Sequence, residues 1–484
     1  MIVKYAQYDG IIKKRISKLQ SMAHKIIKLV SNLIVFVPLL LSAAKMASGQ
    51  NVNQKKLIEF GWDYPNVSFL KANIEKMEKA PFDGVVFSFD FDIYNAFDTT
   101  QRSDLQFQYK DLSEIQWKKF TDNFLLVRGA SYTGAHWLDE ASWSKIIENL
   151  KKVSLAVKMS KAKGIGFDAE YYYKDPMLNP WLYKPSMYNN LSYQEVGTIV
   201  RKRGKQFIQA LQTYKPDIKI LSFWLLLLPY FQSVKQPISE TGMALYPFFV
   251  EGMMEGKNET SEIIDGNENS YGFQNAETYI TSAVNLRDIG TRMIDKSLIP
   301  EFDKISYAQA IFFDQLYGKI PAYDKGFDKE TKARWLAYNL YNAYKTTDGY
   351  VWFYNERINW WKGDVDAGAA QIIKDVQEKI SIEQNNKSDP FSGTSLLYDF
   401  YPKEPDYDPG FSFNYFRSNN TLQIKLLNND IKRLRIFNNS RLILDLKDPL
   451  TNSIIDLDKK YNQDGNLIIL GTDSKGQYSV AYVN

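Results

Sequence analysis

Asp168 and Glu170 stand two residues apart at the end of a short run, Gly164-Ile165-Gly166-Phe167-Asp168-Ala169-Glu170-Tyr171-Tyr172. The run reads as a strand. Strand side chains alternate between faces, so the two acids share one face and Phe167, Ala169 and Tyr171 share the other. Two carboxyl groups held side by side repel when both are charged, so one keeps its proton toward neutral pH. A proton kept in that way is what a general acid needs. The bland alternative is a solvated strand end, and the rest of the chain decides between the two.

The inventory of reactive side chains is short. The 484 residues include no Cys and only two His, His24 and His136. Thiol nucleophiles, disulfides, Cys-ligated zinc and multi-histidine metal centres are therefore excluded. No metal site and no cofactor is expected. A Ser-His-acid esterase would have to use His136. The serine nearest to it in sequence, Ser131, has no Gly-x-Ser-x-Gly around it. Carboxylates are the abundant candidates that remain. Aromatic residues make up 15% of the chain, enough to fill a large core and also to line a cleft that stacks on sugar rings.

Charge is unevenly placed. Residues 1–49 carry eight Lys/Arg and one acid, Asp9, which leaves 52 basic against 55 acidic residues in the remainder. No basic stripe stands out there, so nucleic acid is not an expected partner. Lys25 and Lys28 precede the apolar run Leu29–Leu41, and Ala47-Ser48-Gly49 offers small residues before Gln50. This pattern predicts a signal peptide, cleavage before Gln50, and a secreted or periplasmic protein with no membrane span left after removal.

From about residue 55 to 382, short apolar runs alternate with helical patterns. The expected strands are Leu57–Asp63, Gly84–Phe89, Phe124–Arg128, Gly164–Tyr171, Ile218–Leu226, Glu262–Asp265, Ser306–Phe313 and Tyr350–Tyr354. Helical patterns at Phe69–Lys79, Glu114–Asp122, Ala141–Ala162 and Tyr193–Thr213 fall between the earlier ones. Eight such units predict an α/β fold, a (β/α)8 TIM barrel. An open doubly wound sheet is the rival, but no glycine-rich dinucleotide fingerprint follows any strand. A Pro- and Asn-rich linker is expected at 383–410. After it, short β-like runs separated by Asn-Asn, Asn-Asp and Asp-Gly pairs predict a small C-terminal β-sandwich at 411–484. The barrel then occupies 50–382.

Barrel active sites sit at the carboxyl ends of the strands. Strand one ends on Trp62-Asp63 and strand three on Arg128, before a loop holding Tyr132, His136 and Trp137. Strand four ends on Asp168 and Glu170, and strand six runs through Asp265 to Glu268. Asp314 follows strand seven. Strand eight carries Trp352, Tyr354 and Glu356 on one face, with Trp360 beyond it. Asp is a common helix cap, whereas Glu is a poorer one, which singles out Glu170, Glu268 and Glu356. The expected catalytic set is Glu170, Asp168, Glu268 and Glu356. Trp62, Asp63, Arg128, His136, Trp137, Tyr171, Asp265, Trp352, Tyr354 and Trp360 are the expected substrate contacts.

Leader, barrel, aromatic-edged carboxylates and small β tail together resemble a secreted glycoside hydrolase. The Phe167-Asp168-Ala169-Glu170-Tyr171 stretch is similar to the fourth-strand Asp-x-Glu of chitinase-like barrels. That resemblance implies Glu170 as the acid and Asp168 as its helper, acting on a carbohydrate. Glu268 or Glu356 would then serve as nucleophile or base. Two rivals stay open: a glycan-binding barrel without catalysis, and a lyase using Tyr132 and His136.

Overall fold

The structure is a computed structural model that describes residues 55–100, 104–317, 328–385, 413–418, 421–427, 430–456, 467–476 and 478–483. The signal peptide expected at 1–49 and positions 386–410 of the expected linker lie outside these residues.

Among the described residues, eight parallel strands close into a ring. They are β1 (Lys56–Gly61), β2 (Gly84–Phe87), β3 (Phe124–Arg128), β4 (Gly164–Asp168), β5 (Lys219–Ser222), β6 (Glu262–Asp265), β7 and β8 (Tyr350–Asn355). β7 comes in two pieces, Ser306–Tyr307 and Gln309–Phe312, with only Ala308 between them. Its first piece pairs with β6 and its second with β8, which closes the barrel. A two-residue strand, Tyr94–Asn95, adds to β3. This is the TIM barrel expected from the alternation of runs, with Phe124–Arg128 as its third stave.

The eight long helices are α1 (Val67–Met77), α2 (Asp104–Glu114), α3 (Glu140–Met159), α4 (Tyr193–Leu211), α5 (Tyr246–Gly256), α6 (Ala276–Met293), α7 (Lys329–Thr346) and α8 (Ala367–Asn385). Their starts follow local chemistry. Ser192 and Glu195 form a reciprocal capping box on α4, and Asn66, Asp139, Asn275 and Asp328 cap α1, α3, α6 and α7. The helix expected at Glu114–Asp122 is not formed. A single carboxylate oxygen, Glu78 Oε1, accepts the backbone N–H groups of Lys118, Lys119 and Phe120 at 2.7–3.0 Å. Those donors are unavailable for a helical ladder. The helix lies one segment earlier, at α2, where Leu105, Gln108 and Leu112 bury one face.

Strand alternation sorts residues into two layers. Phe167 packs on Phe207 and Phe249 of the helices, and Phe353 on Phe82 and Phe313. Their neighbours Asp168, Trp352 and Tyr354 face the barrel interior with Phe60 and Leu126. Interior glycines let staves approach closely. A Cβ at Gly164 would lie 1.7 Å from the carbonyl oxygen of Lys219 on β5.

The tail forms two antiparallel sheets, as expected for a β-sandwich. One holds β9 (Phe413–Ser418), β10 (Thr421–Leu426) and β13 (Asn452–Asp456). The other orders β12 (Arg441–Lys447), β11 (Ile431–Asn438), β14 (Leu467–Asp473) and β15 (Tyr478–Val483). Leu422, Ile424, Leu434, Ile436, Leu467 and Ile469 fill the space between the sheets. Phe437, Ile468, Leu470 and Tyr482 instead join the barrel's core, so β14 is buried on both faces. Tyr482 donates to Asn342 Oδ1 on α7 at 2.5 Å, and Arg287 on α6 donates to the Ser440 carbonyl at 2.8 Å.

Gly164→Ala is expected to cost about 3 kcal/mol in urea unfolding. Gly349→Ala, where an added methyl meets nothing within 4 Å, should change stability by less than about 0.5 kcal/mol. Equal effects at the two positions would show that contact between β4 and β5 does not limit the barrel.

Candidate active site

The mouth is built from the ends of β3, β4 and β6. β4 stops at Asp168, whose Oδ1 accepts the backbone N–H of Glu170 at 3.0 Å. That bond closes a turn, so Glu170 leaves the pleat and does not share a strand face with Asp168 as alternation predicts. The two carboxyls stay close through the turn instead. Asp168 stands opposite Arg128 of β3 in the strand register. The Arg128 guanidinium lies 5.0 Å from the centre of the Tyr172 ring. The Tyr172 phenol lies near enough to Asp168 and Glu170 for their charges to raise it.

Glu268 arrives by a locked turn. Asp265 pairs in register with Ser222 and Tyr307, and Tyr307 lies under Arg287 of α6. Asp265 therefore faces the helix layer and not the mouth, where the sequence had placed it as a substrate contact. Its Oδ1 accepts the N–H of Asn267 at 2.9 Å. Asn267 takes the left-handed conformation, φ 49 and ψ 53, which Asn tolerates better than most residues. Asn267 Nδ2 donates to Gln309 at 2.9 Å, Trp352 Nε1 donates to the Gly266 carbonyl at 2.8 Å, and Glu268 N donates to the Phe223 carbonyl at 3.1 Å. This lattice returns the chain to the interior, so that Glu268 lines the mouth beside Asp168.

Electrostatics follow from the crowding. Burial pushes the Glu268 carboxyl up to about 8, and the charges of Glu170 and Asp168 add to the push. Burial raises Asp168 to about 6; the Glu170 N–H and Arg128 pull against that rise, while the Glu170 charge adds to it. Burial raises Asp265 to about 7 against the bond from Asn267. The Tyr172 phenol is held up by desolvation and by the carboxyls of Asp168, Glu170 and Glu268.

Rings surround these acids. Phe60 stacks on Phe223 at 4.2 Å and Trp352 leans on both. Tyr271 stacks on Tyr354 at 5.3 Å. Trp62 is 59% exposed, and its Nε1 donates to the Tyr354 hydroxyl at 2.7 Å. The cleft these residues enclose is narrow, about 50 Å³, and is lined by Trp62, Arg128, Asp168, Glu268, Trp352 and Tyr354 among others.

Other expected residues lie elsewhere. Glu356 is exposed; its backbone N–H is held by Asp314, and among the acids of the mouth's rim it bears on the Tyr354 phenol. Asp63 is buried. It accepts the Trp360 N–H at 2.8 Å on Oδ2, and its carbonyl accepts Trp361 Nε1 at 2.9 Å. The buried Glu59 stands near Asp63, and burial and the Asp63 charge push its carboxyl well above the usual range. Trp137 stacks on Trp143 in a buried cluster with Phe97, Trp181 and Phe249, and Trp360 packs on Phe82 and Phe313. Both are core residues and not platforms. His136 Nε2 pairs with Thr133 Oγ1 at 2.9 Å, and the buried Ser131 hydroxyl also pairs with Thr133, so the two do not form a nucleophile–base pair. Tyr171 turns to the Asp175 carbonyl.

Phe60, Tyr172, Phe223 and Tyr271 line the mouth without having been singled out from sequence. Phe60 was accessible, since it shares a strand face with Ile58. Tyr172 and Tyr271 sit on irregular turns where alternation gives no face.

No protein-family model matches the chain, and no curated protein does. Solved structures with which it aligns include a GH5-4 broad specificity endoglucanase from an uncultured bacterium, at 11% identity over 67% of this chain and 94% of that one, TM-score 0.40. A glucosidase from Croceicoccus marinus aligns at 12% identity over 84% and 81%, TM-score 0.35. Eubacterium rectale Amy13B aligns at 9% identity over 89% and 96%, TM-score 0.39. The functional reading rests on the mouth itself.

The raised carboxyl makes a stability prediction. Unfolded, Glu268 titrates near its ordinary 4.5; folded, it titrates near 8. The native state holds the extra proton between those values, so this contribution is complete below the unfolded pKa and is lost as pH rises through about 8. Glu268→Gln is therefore expected to be about 2 kcal/mol more stable than wild type at about pH 9, after allowance for screening of a partly exposed group, and about equal to it at about pH 4. Urea unfolding at both pH values checks this; an unchanged difference would place Glu268 in open water.

Proposed function

We propose that the chain hydrolyses glycosidic bonds with two carboxyl groups of the barrel mouth, without metal or cofactor. The observation that carries this reading is the meeting of Asp168 and Glu268 in one ring-lined cleft, with Glu170 close enough for its charge to add to the rise of the Glu268 carboxyl. Acid catalysis needs a carboxyl still protonated at working pH beside one that is charged. The acid role therefore passes from Glu170, where the sequence resemblance put it, to Glu268. Glu268 donates its proton to the leaving oxygen as the bond to the anomeric carbon breaks. Glu170 attacks that carbon directly, or takes a proton from an attacking water. Asp168 raises the Glu268 proton affinity and, by accepting the Glu170 N–H, fixes the backbone from which Glu170 projects. Arg128 lies against the Tyr172 ring and its charge favours the ionised form of Asp168. The leader expected at residues 1–49 fits a secreted or periplasmic hydrolase acting on carbohydrate outside the cytoplasm.

Glu268→Gln is expected to lose about 10³-fold in turnover of glycosides with poor leaving groups, and to keep most of its turnover of dinitrophenyl glycosides, which need no proton. Glu170→Gln should lose both. Wild-type turnover of the poor leaving group should fall as pH passes about 8, where Glu268 ionises. Reducing-end and dinitrophenolate assays measure these; full activity of Glu170→Gln on both substrates would sink the mechanism.

A further inference from the structure

Beside the mouth lies a larger groove, of about 570 Å³, lined by Trp62, Tyr64, Phe69, Phe89, Phe91 and Trp361 with several polar groups. Trp62 and Tyr64 line both cavities, so the two adjoin at these side chains. We propose that this groove holds the further rings of an uncharged glycan chain whose cleaved end sits in the mouth, with Trp62 as the platform at the junction. The proposal rests on the glycosidase reading and names its substrate class.

Three observations carry it. First, Trp62 is exposed, yet its orientation is fixed by the bond from Nε1 to the Tyr354 hydroxyl. An exposed large ring held in place costs a stacking ligand little ordering entropy. Second, Trp62, Tyr64, Phe69 and Phe91 on the groove are exposed or half-buried rings, and its loop carries backbone strain. Asp92 has φ 100, with its Oδ1 accepting the Tyr64 hydroxyl at 3.1 Å. A non-glycine residue kept in that region is over-determined by its surroundings, as ligand clamps are. Third, charge selects the ligand. Asp168 and Glu268 in the mouth and Asp90 and Asp92 along the groove face Arg128 and Lys362 alone among the basic residues that line the two cavities. The Arg128 guanidinium lies against the Tyr172 ring. A uronate or sulfated chain would meet net repulsion along its whole path, whereas an uncharged chain would not.

The test is a binding ladder on the full chain carrying Glu170→Gln, to prevent turnover. The probes are gluco-, manno-, xylo- and N-acetylglucosamine oligomers of one to six rings, with oligogalacturonates as the anionic set. Calorimetry and tryptophan emission give the affinities. Affinity for at least one uncharged series should rise at least tenfold from one ring to four, with an emission shift from Trp62, and oligogalacturonates should bind at least tenfold more weakly. Adding Trp62→Ala should lower affinity for four rings by a larger factor than affinity for one, flattening the ladder, and Trp62→Tyr should restore part of it. The proposal is overturned by a flat ladder, by a ladder indifferent to Trp62, by tightest binding of oligogalacturonate, or by no binding from any series. A persistent ladder without hydrolysis by the wild type would remove the catalytic reading alone. Hydrolysis with a flat ladder would remove this one alone.

Discussion

A carboxyl group keeps its proton near neutral pH where water is scarce and another negative charge is close. The barrel mouth meets both conditions, and meets them by placement more than by composition. In the helix layer buried charge is matched. Lys345 and Glu383, both nearly inaccessible, pair at 2.6 Å, and Arg201 reaches Glu251 and Glu255 across α4 and α5. At the mouth, Asp168, Glu170 and Glu268 crowd together with one guanidinium, Arg128, nearby. Natural chains leave such a local conflict standing where function uses it.

Holding like charges together requires a frame that cannot relax. The frame here is short-range and backbone-based. Asp168 closes the turn to Glu170, Asp265 closes the turn to Asn267, and the carbonyls of Gly266 and Phe223 are tied to Trp352 and Glu268. Each bond sits one step behind a mouth acid, on the helix side of the sheet or within the packed interior. Asp265 is thus a positioning residue: it never faces the cleft, but Glu268 has its direction only because Asp265 fixes the turn before it. Preorganised charge of this kind needs no rearrangement when a substrate binds.

The sequence carried the architecture well because barrel strands are buried on both faces and read as apolar runs with acids after them. All eight staves lay where the runs lay, and Asp168, Glu170 and Glu268 converge because parallel strands end at the same rim. What could not be read was direction beyond the last paired residue. Alternation assigned Glu170 a strand face that the Asp168 turn removes. The same rule, applied to Asp265 with its neighbours' register unknown, could not tell the helix side from the mouth. Exposure of tryptophans was equally hidden: Trp62, Trp137 and Trp360 look alike in sequence, yet the latter two anchor packed clusters while Trp62 faces solvent. The missed helix at α2 and the false one after it show a further limit. Glu78, some forty residues upstream, takes the backbone donors of 118–120, and no local pattern reports that.

The loop after β8 completes the argument from constraint to function. Asp63 just beyond β1 and Asp314 beyond β7 accept its backbone N–H groups, at Trp360 and at Glu356 and Arg357. Burial and the Asp63 charge favour the neutral form of Glu59 beside it, which spares Asp63 a second buried negative charge. Asn355 steadies Glu59 from β8 at 3.0 Å. The first and last staves are thereby joined at the rim where the barrel closes, next to the wall on which Trp62 stands. A second set of crowded acids, away from the chemistry, thus holds still the platform that the mouth acids need.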